Sequence, residues 1–207
     1  MTTAVAAWLL ASYLLGAVPT SYIAGRLLRG IDLREHGSRN LGATNLYRVL
    51  GWRVAVPVGL FDMAKGLVPV LLFAPRVSTS QTFALVCGLT AVLGHVFSIF
   101  VGFKGGKGVA TAAGVMLGLT PAALLIALGV WIAVVALTGY VSLGSIVAAA
   151  VFPILVRLID PPEQPEILWL DVAAAAGIIW LHRANIGRLL RGTENRFGRR
   201  AAPQPRP

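Results

Sequence analysis

An all-α polytopic membrane protein is the predicted fold, with seven transmembrane or embedded helices, the fourth short. Three observations predict it. Of 207 residues, 57% are apolar and only 13% are charged, a balance that suits lipid rather than water as the surrounding solvent. Apolar runs recur at 4–25, 54–74, 81–100, 109–119, 121–138, 142–159 and 168–182, and most match the roughly 20 residues of a bilayer-crossing helix. Apart from Lys65 and Arg157, arginine and lysine gather in the flanks of these runs.

The first run lacks a cationic start and a small-residue cleavage site, so it reads as a retained helix and not as a signal peptide. Arg26, Arg29, Arg34, Arg39, Arg48 and Arg53 surround the connection after it. The connection at 75–80 carries only Arg76; the next holds Lys104 and Lys107, and the one at 160–167 is acidic, with Asp160, Glu163 and Glu166. Arg183, Arg188, Arg191, Arg196, Arg199 and Arg200 crowd the end of the chain. Basic loops stay cytoplasmic, so all three basic regions share the inner side only if the N-terminus lies outside and the number of crossings is odd. Fusing 109–138 into one helix kinked at Pro121 would put the basic C-terminus outside. The chain is therefore expected to reverse near Thr120-Pro121, with 109–119 an embedded short helix and the C-terminus cytoplasmic.

Residues 1–196 form one membrane domain by this reading, and 197–207 a basic, Pro-rich tail whose Arg199, Arg200 and Arg206 suit anionic lipid. The single cysteine, Cys87, excludes disulfides and a cysteine metal site. A net charge of +10 would point to nucleic acid in a soluble protein, but here membrane topology accounts for it and no nucleic-acid partner is expected.

Three polar segments then fall on the cytoplasmic side: 29–53, 101–108 and 182–200. The first contains Gly37-Ser38-Arg39-Asn40-Leu41-Gly42-Ala43-Thr44-Asn45-Leu46-Tyr47-Arg48. Its small and amide residues favour turns, yet it is long for a connector, and the Arg48 fork can donate two parallel hydrogen bonds to phosphate. The second is Gly102-Phe103-Lys104-Gly105-Gly106-Lys107-Gly108. Its glycines can turn backbone N–H groups toward an anion, its lysines add charge, and the helix opening at Val109-Ala110-Thr111 adds the positive end of its dipole. It is neither a Walker loop nor a dinucleotide fingerprint. A flexible loop with two anchoring cations remains the plainer alternative. His95, late in an apolar helix, reads as a satisfied buried histidine. The third segment places His182 and Asn185 three apart, on one helix face. Inside the second span, Asp62 and Lys65 are spaced to meet; a structural ion pair is the favoured reading, with substrate contact the other.

At these residues the chain resembles the PlsY family of bacterial acyl-phosphate:glycerol-3-phosphate acyltransferases. The resemblance runs to about Arg196 through Gly16–Tyr22, Gly37–Arg48, Asp62 with Lys65, Gly94–Thr111, Tyr140–Ser145 and His182–Glu194. Two positions depart: Arg39 stands where the family usually has glycine, and Ser98 where proline is common. The resemblance implies a multi-pass enzyme of the bacterial plasma (inner) membrane with its site on the cytoplasmic face. It implies acyl transfer from acyl-phosphate to the sn-1 hydroxyl of glycerol 3-phosphate, giving lysophosphatidic acid and phosphate, the first acylation of phospholipid synthesis. Membrane lipids would be its other partners, and a monomer its state. Ser38, Arg48, Lys104, His182 and Asn185 are the implied catalytic positions. Asn40, Asn45, Gly105, Gly106, Lys107, Thr111 and Ser142 are the expected substrate and phosphate contacts, with Asp62 and Lys65 as structural support.

The chemistry agrees with the resemblance. Two phosphate-bearing substrates need charge neutralisation and positioning, and the donor already carries a good leaving group, so no covalent intermediate, metal or organic cofactor is required. No His-x4-Asp pair and no Ser-His-Asp triad is present. Either the acceptor's own phosphate takes the hydroxyl proton, or His182 does. A transporter of phosphorylated solutes is the competing class, but no inverted pair of broken helices accompanies the polar segments.

Overall fold

The computed structural model describes residues 3–162 and 164–197; Glu163 and residues 198–207, most of the expected tail, lie outside the described residues. The described chain is helical: α1 (Thr3–Ala17), α2 (Thr20–Arg29), α3 (Ala43–Leu50), α4 (Trp52–Val68), α5 (Gln81–Val96), α6 (Val109–Leu119), α7 (Pro121–Thr138), α8 (Val141–Ile159), α9 (Pro165–Leu181) and α10 (Arg183–Leu190). Five helical stretches are long and apolar enough to cross a membrane: Thr3–Arg29, Trp52–Arg76, Gln81–Val101, Pro121–Thr138 and Val141–Ile159. A sixth counts if α9 and α10, bent by 54° at His182, are one span, and α6 is a shorter apolar helix.

Each break has a chemical cause. Pro19 has no N–H and ends α1, which frees backbone carbonyls inside the bundle. The Val18 carbonyl accepts from Lys65 Nζ at 2.8 Å, and the Ala17 carbonyl accepts from Ser98 Oγ at 2.5 Å. Ser98 thereby gives a reason to forgo the family's proline, whose ring has no hydroxyl. Helix α4 runs on past Pro69 through a π-wound turn, Pro69–Phe73, and a 3-10 turn to Arg76. Thr120, at φ −139° and ψ 64°, ends α6 before Pro121 starts α7. The two helices then choose different partners: α6 packs chiefly on α4 and α5, and α7 on α8. No fused 109–138 helix forms.

Tight packing needs small residues where backbones meet, because lipid supplies no hydrophobic drive between helices. Gly66 of α4 and Gly114 of α6 face each other's helices so closely that a Cβ would lie 1.9 Å from the Thr111 carbonyl oxygen and 1.8 Å from that of Met63, respectively. That contact seats α6 deep in the bundle, with Thr111 and Val115 fully buried. Below it, Val70, Leu85, Val115, Met116 and Ile167 form a solid apolar core.

Candidate functional site

The three polar segments meet at one end of the bundle. Tyr47 stacks on Phe197 with ring centroids 4.8 Å apart, Arg34 Nη1 donates to the Val101 carbonyl at 3.4 Å, and Arg48 Nη2 donates to the Asn195 carbonyl at 3.4 Å. Between them opens a cavity of about 500 Å³. Its polar end is lined by Ser38, Asn40, Arg48, Lys107, Ser142, His182, Asn185 and Glu194. The remainder is mostly apolar. Val56, Leu60 and Met63 of α4 form one wall, Leu124, Leu128 and Trp131 of α7 the other, and Ala112 and Ala113 of α6 the floor. Helices α4 and α7 scarcely touch, and Val56, Leu60 and Leu128 are exposed, so the apolar part is a slot open along the flank of the bundle.

A chain of hydrogen bonds organises the polar end. Lys107 Nζ donates to Asn185 Oδ1. Asn185 Nδ2 donates to Glu194 Oε1 at 2.7 Å, and Ser142 Oγ donates to the same oxygen at 2.9 Å. Arg188 Nε donates to Glu194 Oε2 at 2.7 Å. Glu194 is thus the hub that orients Ser142 and Asn185, and sequence reasoning assigned it no role. Its signal was a lone acid in an arginine-rich segment, which charge counting treats as incidental. Burial pushes the Glu194 carboxyl up, but the hydrogen bonds from Asn185, Ser142 and Arg188, with the Arg188 charge, hold it below its ordinary value.

His182 Nδ1 donates to the Ile178 carbonyl at 2.8 Å, since that oxygen can only accept. In the neutral ring, Nε2 is left as an acceptor. His182 and Asn185 do not ride one continuous helix as expected: the chain bends at His182, and both side chains still line the cavity. Arg48 Nε is buried without a partner among the described residues, an unusual position for a guanidinium donor.

Several expected contacts fall elsewhere. Lys104 is exposed and does not line the cavity; Lys107 does. The N–H groups of Gly105 and Gly106 are not turned toward an anion, because they donate to the Val96 and His95 carbonyls at 3.0 and 3.1 Å. The glycines serve close approach instead: a Cβ on Gly106 would lie 2.2 Å from His95 Nε2. Asn45 lines the cavity, but its Oδ1 accepts from the Ser38 N–H at 2.7 Å and its Nδ2 serves the Leu33, His36 and Asn40 carbonyls at 3.0–3.3 Å. Its amide is committed to shaping the loop. Thr111 is fully buried against α4 and does not line the cavity; Gly108, Val109 and Ala110, at the N-terminus of α6, do. Arg39 adopts φ +58°, a left-handed backbone that costs a non-glycine residue about 1–2 kcal/mol, which accounts for the glycine usual at this position. Asp62 and Lys65 do pair, at 2.7 Å and both 1% exposed. Among the described residues no cluster of His, Cys, Asp and Glu is arranged to hold a metal.

Lys107 sets a pH expectation. Burial is the main cause that moves its ammonium down to about 8; Glu194 resists the shift, and Arg188 and Arg48 add to it. The charged form exists below that value, so kcat/KM for a phosphate-bearing substrate is expected to fall as pH rises through about 8. In Lys107→Arg the charge persists and the fall should move to higher pH. A flat wild-type profile between neutral pH and the ordinary lysine range would remove Lys107 from the anion site.

Fold and site together define a class: an integral-membrane protein whose polar, cation-lined cavity runs into a lipid-facing slot. The glycerol-3-phosphate acyltransferase family matches residues 6–192. A glycerol-3-phosphate acyltransferase of Chlorobaculum parvum is 45% identical, with 92% of this chain and 96% of that protein covered. One of Trichlorobacter lovleyi is 49% identical over the same shares. The crystal structure of PlsY (YgiH), an integral membrane glycerol 3-phosphate acyltransferase in its glycerol 3-phosphate form, superposes with a TM-score of 0.87 at 38% identity, covering 94% of this chain and 96% of that one. Its lysophosphatidic acid form gives 0.84 at 37% identity, over 94% and 95%. The chain belongs to the glycerol-3-phosphate acyltransferase family.

Proposed function

We propose that this chain transfers a fatty acyl group from acyl-phosphate to the sn-1 hydroxyl of glycerol 3-phosphate. The hydroxyl oxygen attacks the acyl carbonyl carbon, the bond from that carbon to the phosphate oxygen breaks, and lysophosphatidic acid and inorganic phosphate result. The observation that carries this reading is the continuity of two unlike spaces: a polar end with Arg48 Nε buried and unpartnered beside Lys107, and an apolar slot open to lipid. The polar end suits two phosphate groups and the slot suits one acyl chain.

Arg48, Lys107 and the N-terminus of α6 neutralise the phosphates, while Ser38, Asn40, Ser142 and Asn185 position them. Glu194 holds Ser142 and Asn185 in place. The proton passes either to the acceptor's phosphate or to His182 Nε2. The basic segments around Arg48, Lys107 and Arg188 support a cytoplasmic site with the N-terminus outside; seven embedded segments and a monomer in a bacterial plasma membrane complete the proposal. Purified protein in detergent should release inorganic phosphate only when acyl-phosphate and glycerol 3-phosphate are both present. Phosphate release that ignores glycerol 3-phosphate, or none at all, overturns the reading. His182→Gln then decides the base: substantial remaining turnover excludes the histidine, and loss of kcat by about 10²–10⁴-fold supports it.

A further inference from the structure

His95 belongs to a buried polar cluster that the expected site residues do not include. It lies near the end of α5, is 8% exposed, and lines the cavity. Its Nδ1 is 3.3 Å from Lys65 Nζ. Lys65 has three ammonium protons and three acceptors around it: the Val18 carbonyl at 2.8 Å, Asp62 Oδ1 at 2.7 Å and His95 Nδ1. Thr20 Oγ1 also donates to Asp62 Oδ1, at 2.5 Å, so the carboxylate is held from two sides. An ammonium can only donate. His95 Nδ1 is therefore the acceptor, the ring is neutral, and its proton sits on Nε2.

The edge carrying Nε2 lies against Gly106, next to Lys107. Among the described residues Nε2 has no hydrogen-bond partner, and it is not among the polar atoms sealed from solvent. An unpartnered N–H donor is thus presented beside Gly106, on a residue that lines the same cavity as Lys107 and Arg48. The two cavity histidines have opposite tautomers, with His182 offering an acceptor and His95 a donor.

We propose that His95 is a substrate-binding residue whose Nε2–H donates to a phosphate oxygen, and that Lys65, held by Asp62, is the positioning residue that fixes this tautomer. The proposal rests on the phosphate-binding reading of the cavity. It converts a cluster that the sequence presents as structural into part of the recognition surface. The phosphate oxygen belongs either to glycerol 3-phosphate or to acyl-phosphate, and separate saturation curves tell the two apart.

His95→Leu removes the donor and keeps an apolar body, while His95→Gln keeps an amide N–H of similar reach. KM for one of the two substrates should rise about 10- to 100-fold in the leucine variant, the loss expected for a hydrogen bond to a charged oxygen, and should largely recover in the glutamine variant. Unchanged KM values for both substrates, or equal falls in kcat for both variants with KM unmoved, would overturn the proposal in favour of packing alone. A spectroscopic measurement on the wild type covers the case in which the leucine variant does not fold. The chain has only three histidines, so 15N-histidine labelling should show two Nδ1–H rings, His36 and His182, and one Nε2–H ring, His95. Glycerol 3-phosphate or acyl-phosphate should shift that Nε2–H resonance. Three Nδ1–H rings, or a resonance that neither substrate moves, would sink the proposal. A wild-type protein without acyl transfer would instead fail the functional reading and leave the tautomer pattern standing.

Discussion

Lys107→Met is expected to lower kcat/KM by about 10²–10³-fold, the loss typical when one preorganised donor is removed from an anion site. The reasons are geometric and electrostatic together. The Lys107 ammonium sits in the polar end of the cavity, bonded to Asn185, with Arg48 in the same wall. Burial makes its charge count for more than it would in water, since a low dielectric strengthens attraction to a phosphate. Lys104, three residues earlier, is exposed and outside the cavity. Its substitution by alanine should change kcat/KM by no more than about fivefold, as for a screened surface charge worth about 1 kcal/mol at most. Steady-state kinetics of the two variants side by side make the test. Equal losses would mean that the loop has another arrangement when substrates are bound, and a silent Lys107→Met would remove the central cation from the mechanism.

Gly114→Ala is expected to abolish the folded protein in detergent. Overpacking a core side chain costs about 1–3 kcal/mol, because neighbours can move aside. Here the obstacle is backbone: the added carbon would lie 1.8 Å from the Met63 carbonyl oxygen, and α4 and α6 must separate to admit it. Separation would displace Lys107 and the N-terminus of α6, so activity should vanish with the fold. Gly129→Ala is the control, since a Cβ there meets nothing within 4 Å. Thermal unfolding and size-exclusion profiles of both variants check the contrast; a stable, monodisperse Gly114→Ala protein would refute this account of the helix contact.

Much of the fold is legible in the sequence because hydrocarbon imposes a simple rule. Backbone polar groups must be satisfied within the segment, so apolar length reads directly as helix. The run at 121–138 therefore matches α7, and the run at 81–100 matches the helical stretch Gln81–Val101 to within a residue. Breaks are harder to read. The carbonyl freed at Val18-Pro19 is met by a partner distant in sequence, Lys65, and the bend at His182 has no proline or glycine beside it in the sequence to announce it. The site was legible as residue types, and less so as directions. The Lys104/Lys107 choice turns on which way a glycine-rich loop faces, and the Gly105 and Gly106 amides are engaged by carbonyls of the preceding helix. Glu194 illustrates the same limit, because a hub is defined by what converges on it in space.

The slot between α4 and α7 has a consequence for how the protein experiences its substrates. A molecule with an ionic head and a long tail can enter sideways, its head reaching Lys107 while its tail stays within the hydrocarbon sheet. The concentration that governs occupancy is then a surface density, set by mole fraction in the bilayer or micelle and not by bulk molarity. Diluting the protein together with its lipid would leave occupancy unchanged, whereas adding inert lipid would lower it. The soluble substrate obeys ordinary mass action from the other direction, so one small cavity answers to two separate reservoirs.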